Sequence, residues 1–550
     1  MVPTGSLSFR ILLCSLAVWT IGPYDALAGS DGKDVVNTIE TGGLDLDMVR
    51  LDDLDRDLRG ELALYGRTIP VDIDLLTAAS YSEEDGMGIW RLIIRSADAL
   101  ATELFFDRFD VGGTGELTLE SSDGSVFHSF TSAPIGRVNE FATPLIPGDR
   151  CLLTYRRPLN TGSHAEIRIG LVGHAYRFLD ILDECQIDVS CSPEGDGWED
   201  AARGVVRISI LQSAGTGWCS GSLMNNVRQD CTPYVLSAWH CGSGSTASQF
   251  NLFKFYFSYQ RPQCAMGNAP GTQYITGGQL RAYSNDNSGN SGSDFMLVEM
   301  NDEVPQGFNA YYSGWDATQV SVSTANGVSI HHPFGAPKAI STYTQSLTTG
   351  HWAGSTGLLS HWRTYWAATE NGHCITRSGS SGSPLFKRDS DGRALVIGTL
   401  SGSVALSCET PNGATYYGKL SYHWTGNPNT PVQKLAHWLD PENTGTLILP
   451  GSNDPCMAAS IEENNAIGLS IHPNPADDRI TITWNGSVGH APIVSIVDVH
   501  GRVLSSKVML GSQMMMFTGD LPNGMHWIRA TDPKIHSRAI EISRPLLIRH

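Results

Sequence analysis

One short stretch rich in serine and glycine has the composition of a catalytic turn. Residues 377–386 read RSGSSGSPLF. A serine hydroxyl becomes a nucleophile when a base removes its proton, and the oxyanion that then forms needs N–H donors already in place. Glycines allow a tight turn that aims two amides at one point. Ser381 has the nucleophile position, and the amides of Gly379 and Ser381 would form the oxyanion hole. An ordinary Ser/Gly loop remains the alternative at this point.

Two further segments supply the groups that such a serine requires. The apolar run YVLSAWHCG, residues 234–242, places His240 at the end of a strand, where an imidazole can serve as a general base. SGSDFMLVEM, residues 291–300, places Asp294 at the entrance of a buried strand, where a carboxylate needs a partner. A structural histidine and a turn-capping aspartate are the alternatives for each residue alone. The order His240, Asp294, Ser381 is that of chymotrypsin-like proteases and differs from that of subtilisins and α/β-hydrolases.

Composition and the N-terminus limit the class of protein. The chain has 550 residues, of which 41% are hydrophobic and 17% charged, and this is ordinary for a globular protein of about three or four folded units. The formal net charge of −19 argues against a nucleic-acid partner, since such a partner requires basic surfaces. The run ILLCSLAVWTIG after Arg10 is too short to span a bilayer and precedes Ala-Leu-Ala at 26–28. We therefore predict a secretory signal peptide over residues 1–28.

The cysteines indicate a disulfide framework. Of the 11 cysteines, Cys14 lies in the predicted signal peptide. An even set in an exported chain, with no Cys-x-x-Cys pair, favours disulfides over a metal site. The ten remaining cysteines are Cys151, Cys185, Cys191, Cys219, Cys231, Cys241, Cys264, Cys374, Cys408 and Cys456.

The distribution of short strand-like runs predicts an all-β protein with several domains. Residues 29–60 are acidic and poor in aromatic residues, so we expect them to be loosely ordered. Runs such as RLIIRSA, ELTLESS and CLLTYRR, divided by turn residues, predict a small β-domain before residue 178. Similar runs between about 185 and 445 are typical of sandwiches or barrels, and VQKLAHWLD predicts one helix at their end. A polar linker at 450–468 precedes a last strand-rich segment.

Several ordered segments make residues 185–445 resemble the lysyl endopeptidase family of secreted bacterial trypsin-fold proteases. These segments are CSGSL, TPYVLSAWHC, SDFMLVEM, SIHHPFGAPKAIS, GSSGSPLF, YYGKLS and WLDPENTG. The resemblance implies a double β-barrel protease domain over 185–449, with His240, Asp294 and Ser381 as a catalytic triad. It implies no metal and no cofactor, and the pair His331-His332 matches the family's IHHP segment rather than a metal site.

The resemblance also implies a set of disulfides. Cys219–Cys241 would bracket the histidine strand, and Cys185–Cys408 would tie the N-terminal segment to the second barrel. The third pair would be Cys191–Cys264. Four cysteines have no counterpart in the family, and their pairing stays open: Cys151, Cys231, Cys374 and Cys456.

The sequence departs from the lysine-specific pattern at the substrate pocket. Lysine-specific members carry an aspartate at the pocket floor, where this chain has Thr415, and a histidine where it has Ser401, before Gly402. Ile375 stands where trypsin holds its acidic residue. A lysine side chain entering this pocket would find no carboxylate, and a desolvated cation needs one. We therefore expect a preference for a medium-sized neutral or aromatic residue.

The flanking regions resemble export and maturation segments. Residues 29–184 resemble the pro-region of such proteases, with a maturation cut in RFLDILDE, residues 177–184; a permanent accessory β-sandwich is the alternative. Residues 469–550 resemble the sorting domain of the type IX secretion system, and a binding β-sandwich is the alternative. The matching motifs are Pro-Asn-Pro at 473–475, Asp-x-x-Gly-Arg at 498–502 and Leu-Pro-Asn-Gly at 521–524.

The sequence thus predicts a secreted or cell-surface serine endopeptidase made as a pre-pro-enzyme. It would act as a monomer on protein or peptide substrates, through an acyl-enzyme, and would contact the outer-membrane secretion machinery through its C-terminal domain. A non-catalytic surface adhesin on a protease-like scaffold is one alternative. An esterase with the same triad is another, which the order of the three residues disfavours.

Overall fold

The computed structural model describes most of the chain beyond its N-terminus. The described residues are 36–58, 61–131, 140–159, 164–177, 183–284, 292–318, 326–352, 359–404, 406–456, 469–484, 493–498, 502–532 and 540–550. The predicted signal peptide, most of the predicted linker and most of the RFLDILDE segment lie outside them. The chain divides into two compact units, residues 1–455 and 456–550.

The N-terminal part of the first unit is built of strands in two layers. The strands are β1 Asn37–Glu40, β2 Leu64–Asp74, β3 Ser80–Glu84, β4 Met87–Arg95, β5 Ala101–Asp110, β6 Glu116–Ser121, β7 Phe127–Phe130, β8 Phe141–Ala142, β9 Ile146–Pro147, β10 Arg150–Pro158 and β11 Glu166–Ala175, and the helices are α1 Leu46–Leu58 and α2 Leu75–Ala78. One sheet has the order β1-β4-β10-β6-β7, with β3 on β4. Strands β2, β11, β5 and β8 pair in that order in the other layer. Alternating apolar residues such as Leu92, Leu153 and Phe106 fill the space between the layers.

The expectation of a loosely ordered acidic segment is wrong for residues 46–58. These residues form α1, because the carboxylates find cationic and hydroxyl partners. Asp53 is buried, and its carboxylate lies 2.6 Å from the guanidinium of Arg67 and accepts a hydrogen bond of 2.9 Å from the hydroxyl of Tyr176. A high charge content by itself predicts disorder, but the paired and buried carboxylate of Asp53 anchors this segment.

The following part, residues 183–455, contributes strands to two sheets. Its elements are β12 Val205–Gln212, β13 Gly215–Met224, β14 Tyr234–Ser237, β15 Lys254–Tyr256, β16 Tyr274–Thr276, β17 Gly278–Tyr283, β18 Met296–Met300, β19 Gly314–Asp316, β20 Gly327–His331, β21 Ala339–Tyr343, β22 Thr348–Gly350, β23 His361–Thr364, β24 Pro384–Arg388, β25 Ala394–Ser403, β26 Thr415–Lys419 and β27 Ile448–Leu449, with helices α3 Glu199–Gly204, α4 Trp239–Gly242, α5 Ala247–Phe250 and α6 Leu435–Leu439. Helix α6 lies within the VQKLAHWLD segment that predicts a helix.

The two sheets correspond to the two halves expected of a trypsin-like domain. The first joins β16, β15, β12, β13, β14, β18 and β17, and the second has the order β21-β20-β24-β25-β26-β23-β22 with β19 and β27 attached. Both contribute to one core, in which Leu236 and Leu297 of the first sheet and Val396 of the second are buried. The all-β prediction is confirmed. Among the described strands the end strands of each sheet do not pair with each other, so neither half is a closed barrel by its hydrogen bonds.

The first protease sheet continues into the N-terminal layer. Strand β2 pairs antiparallel with β13, with Gly66 opposite Thr216 and Leu64 opposite Gly217. Gly215, with a φ of 144°, begins β13 at a point where a Cβ atom would collide with the carbonyl oxygen of Gly66. The result is a twelve-stranded sheet that crosses the expected boundary at residues 184 and 185.

The C-terminal unit is a small β-structure of two sheets. Its strands are β28 Leu469–His472, β29 Arg479–Trp484, β30 Ile493–Val497, β31 Val503–Val508, β32 Gln513–Phe517, β33 Gly524–Asp532 and β34 Ile540–Ile548. The sheets β28-β29-β32 and β31-β30-β33-β34 share a core that includes Ile482 and Ile528. In the Asp-x-x-Gly-Arg motif, the Arg502 guanidinium lies 3.0 Å from the Asp498 carboxylate, which closes the turn between β30 and β31. In the part of the chain that is described, no helix is long and apolar enough to cross a membrane.

Candidate active site

Disulfides tie several loops of the protease part together. The structure contains the three pairs that the family resemblance implies, and two more cysteines, Cys231 and Cys456, are also disulfide-bonded. Two cysteines, Cys151 and Cys374, are buried free thiols. The three pairs are Cys185–Cys408, Cys191–Cys264 and Cys219–Cys241.

The carboxylate of Asp294 holds both the backbone and the ring of His240. One carboxylate oxygen accepts a hydrogen bond of 2.9 Å from the His240 amide, and the other lies 2.7 Å from His240 Nδ1. An ionised carboxylate only accepts, so Nδ1 carries the proton and Nε2 is left as the acceptor. Asp294 is 0% exposed and adopts a left-handed φ of 57° just before β18, a conformation that aspartate tolerates better than most residues.

The same carboxylate sets the proton affinity of the imidazole. Burial lowers the pKa of His240, but the charge of Asp294 and its hydrogen bond to the ring outweigh burial, and the pKa lies above its ordinary value of 6.5. A histidine with a pKa somewhat above this value can both take and return a proton near neutral pH.

A second buried histidine supports the segment that carries Asp294. His423 Nδ1 lies 2.9 Å from the hydroxyl of Ser293, and His423 Nε2 lies 2.9 Å from the hydroxyl of Thr399 on β25. Burial lowers the pKa of His423 well below its usual range, so the ring is neutral. Sequence reasoning missed His423, because its partners lie far away along the chain.

The serine loop docks on strand β13 through one residue, Ser220. The Ser220 amide donates a hydrogen bond of 2.8 Å to the carbonyl of Ser381, and the Ser220 hydroxyl donates one of 2.9 Å to the carbonyl of Gly379. Gly379 and Gly382 have φ values of 86° and 80°, which only glycine adopts readily. A Cβ atom on Gly382 would also collide with the hydroxyl of Ser237. The sequence offered Ser220 only as a neighbour of Cys219.

Two amides of this loop remain available for a ligand. The Ser380 amide bonds to the Arg377 carbonyl and the Gly382 amide to the Leu400 carbonyl, each at 2.9 Å. By contrast, no hydrogen bond within the described residues uses the amide of Gly379 or of Ser381 as its donor. These are the two amides that the sequence assigns to an oxyanion hole.

A buried chain of hydrogen bonds fixes the residue beside Ser381. The Ser380 hydroxyl lies 2.8 Å from His331 Nδ1, and His331 Nε2 lies 2.9 Å from the hydroxyl of Ser341. All three side chains are fully buried, and burial lowers the pKa of His331 to about 3. The ring is therefore a neutral structural link between the serine loop and Ser341.

The predicted pocket residues fall into separate environments. Thr415 joins two hydroxyls that the sequence did not single out, with its Oγ1 3.0 Å from the Ser403 hydroxyl, which is 2.7 Å from that of Thr376. We call Thr376, Ser403 and Thr415 the hydroxyl cluster. No carboxylate is hydrogen-bonded to it in the described part of the chain.

The other predicted pocket residues lie around this cluster. The Ser401 hydroxyl lies 3.0 Å from Nε2 of the buried His361. Gly402 faces a tryptophan, since a Cβ atom there would lie 2.5 Å from the ring of Trp352. Ile375 is fully buried in an apolar group with Leu385, so its side chain is part of the core of the second half.

Two family models match separate parts of the chain. Residues 180–418 match the family model described as lysyl endopeptidase, C-terminal domain, and residues 470–540 match the one described as secretion system C-terminal sorting domain. The chain is therefore an exported protein with a protease-type domain. That domain is of the lysyl endopeptidase family, and the segment after it is the sorting domain of type IX secretion.

Two solved structures share a limited likeness with the chain. The protease Anisep from Arthrobacter nicotinovorans is 16% identical, covering 40% of this chain and 90% of its own, with a TM-score of 0.29. A thermostable serine protease, AL20, from an extremophilic microorganism is 17% identical, covering 40% of this chain and 92% of its own, also with a TM-score of 0.29.

The buried histidines predict a loss of stability in acid. Burial lowers the pKa of His331 to about 3 and that of His361 to about 4, whereas both titrate near 6.5 in the unfolded chain. Between pH 6.5 and 4 the unfolded state therefore binds more protons, and the free energy of unfolding falls by up to about 1.4 kcal/mol per pH unit for each histidine. Denaturant unfolding between pH 7 and 4, with disulfides intact, measures this slope.

A matched pair of variants tests whether the buried histidines cause this pH dependence of the free energy of unfolding. His331→Asn is expected to be less stable at pH 7 but to show a shallower pH dependence, because one of the groups has been removed. His437→Gln changes an exposed histidine and should keep the slope of the parent protein. An unchanged slope in His331→Asn would show that this ring is not buried in the neutral form.

Proposed function

We propose that the protein is a secreted serine endopeptidase whose nucleophile is Ser381. The observation that carries the proposal is the pair of hydrogen bonds between His240 and Asp294, next to the serine loop. The Sγ atom of Cys241 lies 4.0 Å from the Ser381 carbonyl oxygen, and two amides of this loop have no hydrogen-bond acceptor among the described residues. The ring presents Nε2 as its acceptor, and the Cys219–Cys241 disulfide ties the strand that docks the serine loop to the helix of His240. A base, its orienting carboxylate and the oxyanion donors are the parts that acyl transfer requires.

The reaction follows from these roles. Ser381 Oγ attacks the scissile carbonyl carbon while His240 Nε2 takes the hydroxyl proton, and Asp294 stabilises the imidazolium. The amides of Gly379 and Ser381 bind the oxyanion of the tetrahedral intermediate. Collapse breaks the C–N bond, and His240 returns the proton to the leaving amine. Water then attacks the acyl-enzyme with His240 again as base, and the acid is released with Ser381 restored.

The flanking segments complete the proposal. We take residues 29–184 as a pro-region that delays activity until export, with the maturation cut just before Cys185. Protein or peptide chains are the substrates, and the mature enzyme acts as a monomer. The sorting domain, residues 469–550, would deliver the chain to the outer-membrane secretion machinery.

An activity-based label tests the catalytic role. Wild-type protein is expected to react with a fluorophosphonate, and Ser381→Ala is expected to lose both the label and about 10⁴-fold or more of its peptidase activity. Ser378→Ala is the matched control, because Ser378 is an exposed serine of the same loop. Mass spectrometry identifies the labelled residue. A wild-type protein that folds, is cut before Cys185 and still takes no label would favour the adhesin alternative.

The pH dependence of kcat/KM tests the role of His240. The base must be neutral to take the serine proton, and Asp294 raises the pKa of His240 above 6.5. Activity should therefore rise with pH through a midpoint above 6.5. In Asp294→Asn the carboxylate charge is gone, so the midpoint should fall and kcat should drop by about 10⁴-fold. An acid midpoint well below 6.5 in the wild type would contradict the assignment.

The hydroxyl cluster supports a neutral specificity pocket. Thr415, Ser403 and Thr376 satisfy one another, so the cluster offers dipoles rather than a charge. A lysine or arginine head group that lost its hydration there would lack the carboxylate that offsets desolvation. Trp352 beside Gly402 adds an aromatic wall. These contacts favour a medium-sized neutral or aromatic residue before the scissile bond.

A charge substitution in the cluster should change this preference. Wild-type protein is expected to cleave a peptide library mainly after neutral residues. Thr415→Asp introduces the missing carboxylate and should raise kcat/KM for lysine over its neutral counterpart by at least about tenfold, since a close desolvated charge pair contributes about 1.5 kcal/mol or more. Thr415→Asn is the control of similar size without charge. Wild-type cleavage mainly after Lys or Arg would overturn the pocket assignment.

A further inference from the structure

Main-chain hydrogen bonds join the N-terminal domain, residues 36–177, to the protease domain. Strand β2 of the N-terminal domain continues the sheet at β13, through Gly66 with Thr216 and Leu64 with Gly217. Strand β13 also bears Cys219 and Ser220, which hold the histidine helix and the serine loop. The pairing therefore begins two to four residues from the residues that position the active site.

A buried ion pair crosses the same boundary. The ammonium of Lys254, on β15 of the protease domain, lies 2.6 Å from the carboxylate of Glu103, on β5 of the N-terminal domain. Lys254 is 0% exposed and Glu103 1% exposed. The Tyr65 hydroxyl lies 3.3 Å from the same carboxylate. A buried charge whose partner is removed is strongly destabilising, because neither water nor another ion replaces it.

Aromatic and apolar contacts surround this pair. The Tyr65 ring stacks on Trp218 with centroids 4.4 Å apart, and the Tyr65 hydroxyl is 2.8 Å from that of Ser209. Leu64 and Phe105 of the N-terminal domain belong to one buried cluster with apolar residues of the first protease sheet. That cluster includes Val206, Ile208, Ile210 and Phe255. The core of this protease sheet is thus completed by the N-terminal domain.

Polar contacts close the rim of the boundary. The carboxylate of Glu140 accepts hydrogen bonds of 2.6 Å from Ser248 and 3.0 Å from Asn251. The Thr276 hydroxyl donates to the carbonyl of Ala142 at 3.3 Å. No disulfide spans the boundary in the described residues, since the one described cysteine of the N-terminal domain, Cys151, is a free thiol. After a cut, only these non-covalent contacts would hold the two parts together.

From these contacts we propose that the N-terminal domain stays bound to the protease domain as a non-covalent subunit after the chain is cut between residues 178 and 184. Dissociation of the N-terminal domain would leave Lys254 without its carboxylate partner and would expose the apolar residues around Ile208 to water. It would also remove the β2 strand from the edge of β13. The inference concerns the fate of the proposed pro-region and does not require that Ser381 be catalytic.

The test uses the full chain with a controlled cut. Residues 178–182 are replaced by the recognition site of a sequence-specific protease, and Ser381→Ala prevents self-digestion. After complete cutting, size-exclusion chromatography at neutral pH and low micromolar concentration is expected to give one peak that contains both fragments. Two separate peaks, each with one fragment, would overturn the proposal.

Interface variants of the same cut protein test the ion pair. Glu103→Gln removes the carboxylate that pairs with buried Lys254 and should raise the dissociation constant of the fragments at least tenfold. Glu103→Leu combined with Lys254→Met removes both charges and should restore much of the binding. Glu166→Gln, an exposed glutamate on β11, should behave as the parent. If Glu103→Gln bound as tightly as the parent, the ion pair would have no part in retention.

Two further measurements keep the outcomes distinct. Tryptophan fluorescence of each uncut variant shows whether it folds. A Glu103→Gln chain that is folded while uncut, and whose two fragments separate after the cut, supports the proposal. A Glu103→Gln chain that fails to fold even uncut is replaced by Tyr65→Phe, which keeps the ring stack on Trp218 but loses the hydroxyl contacts and should weaken binding. Fluorophosphonate labelling of the cut protein with native Ser381 reports separately on catalysis.

Discussion

The hydrogen bonds of Ser220 connect the two sheets of the protease domain at the point where chemistry would occur. Its amide and hydroxyl hold the carbonyls of Ser381 and Gly379, its hydroxyl accepts from the His332 amide, and its carbonyl accepts from Ser237. The residue is completely buried, so each of these bonds lies away from competing water. Because Cys219 is tied to Cys241, the same strand also fixes the helix of His240. Strand β13 is thus the common support of the helix that carries His240 and of the loop that carries Gly379 and Ser381.

The sequence identifies the residues that could react better than those that hold them. His240, Asp294 and Ser381 stand out because each sits at a strand end or in a glycine turn, which are local signals. Ser220, His331 and His423 give no such signal. Their roles arise from partners more than forty residues away in several cases, and such contacts form only when both sheets are packed.

The pocket and the domain boundary show the same limit of prediction from sequence. The family resemblance identifies Thr415 as a pocket residue. Thr376 belongs to another segment and joins the hydroxyl cluster through Ser403, and no periodicity in the sequence predicts this contact. Composition indicates separate domains before and after residue 184, whereas the hydrogen bonds of β2 and β13 join them in one sheet. A strand with an open edge looks the same in sequence whether it faces water or another domain. The charge of the α1 segment gives a wrong prediction for a related reason, because the partners of Asp53 are Arg67 of β2 and Tyr176, which follows β11.

The chain from Ser380 through His331 to Ser341 has a consequence for how the site responds to its surroundings. With the pKa of His331 near 3, this ring stays uncharged across the whole interval in which His240 gains or loses its proton. The shape of the serine loop is therefore insulated from the acidity of the medium, although an ionisable residue sits directly behind it. Because His331 stays neutral, the imidazole of His240 can change its charge without a change of charge behind the amides of the serine loop.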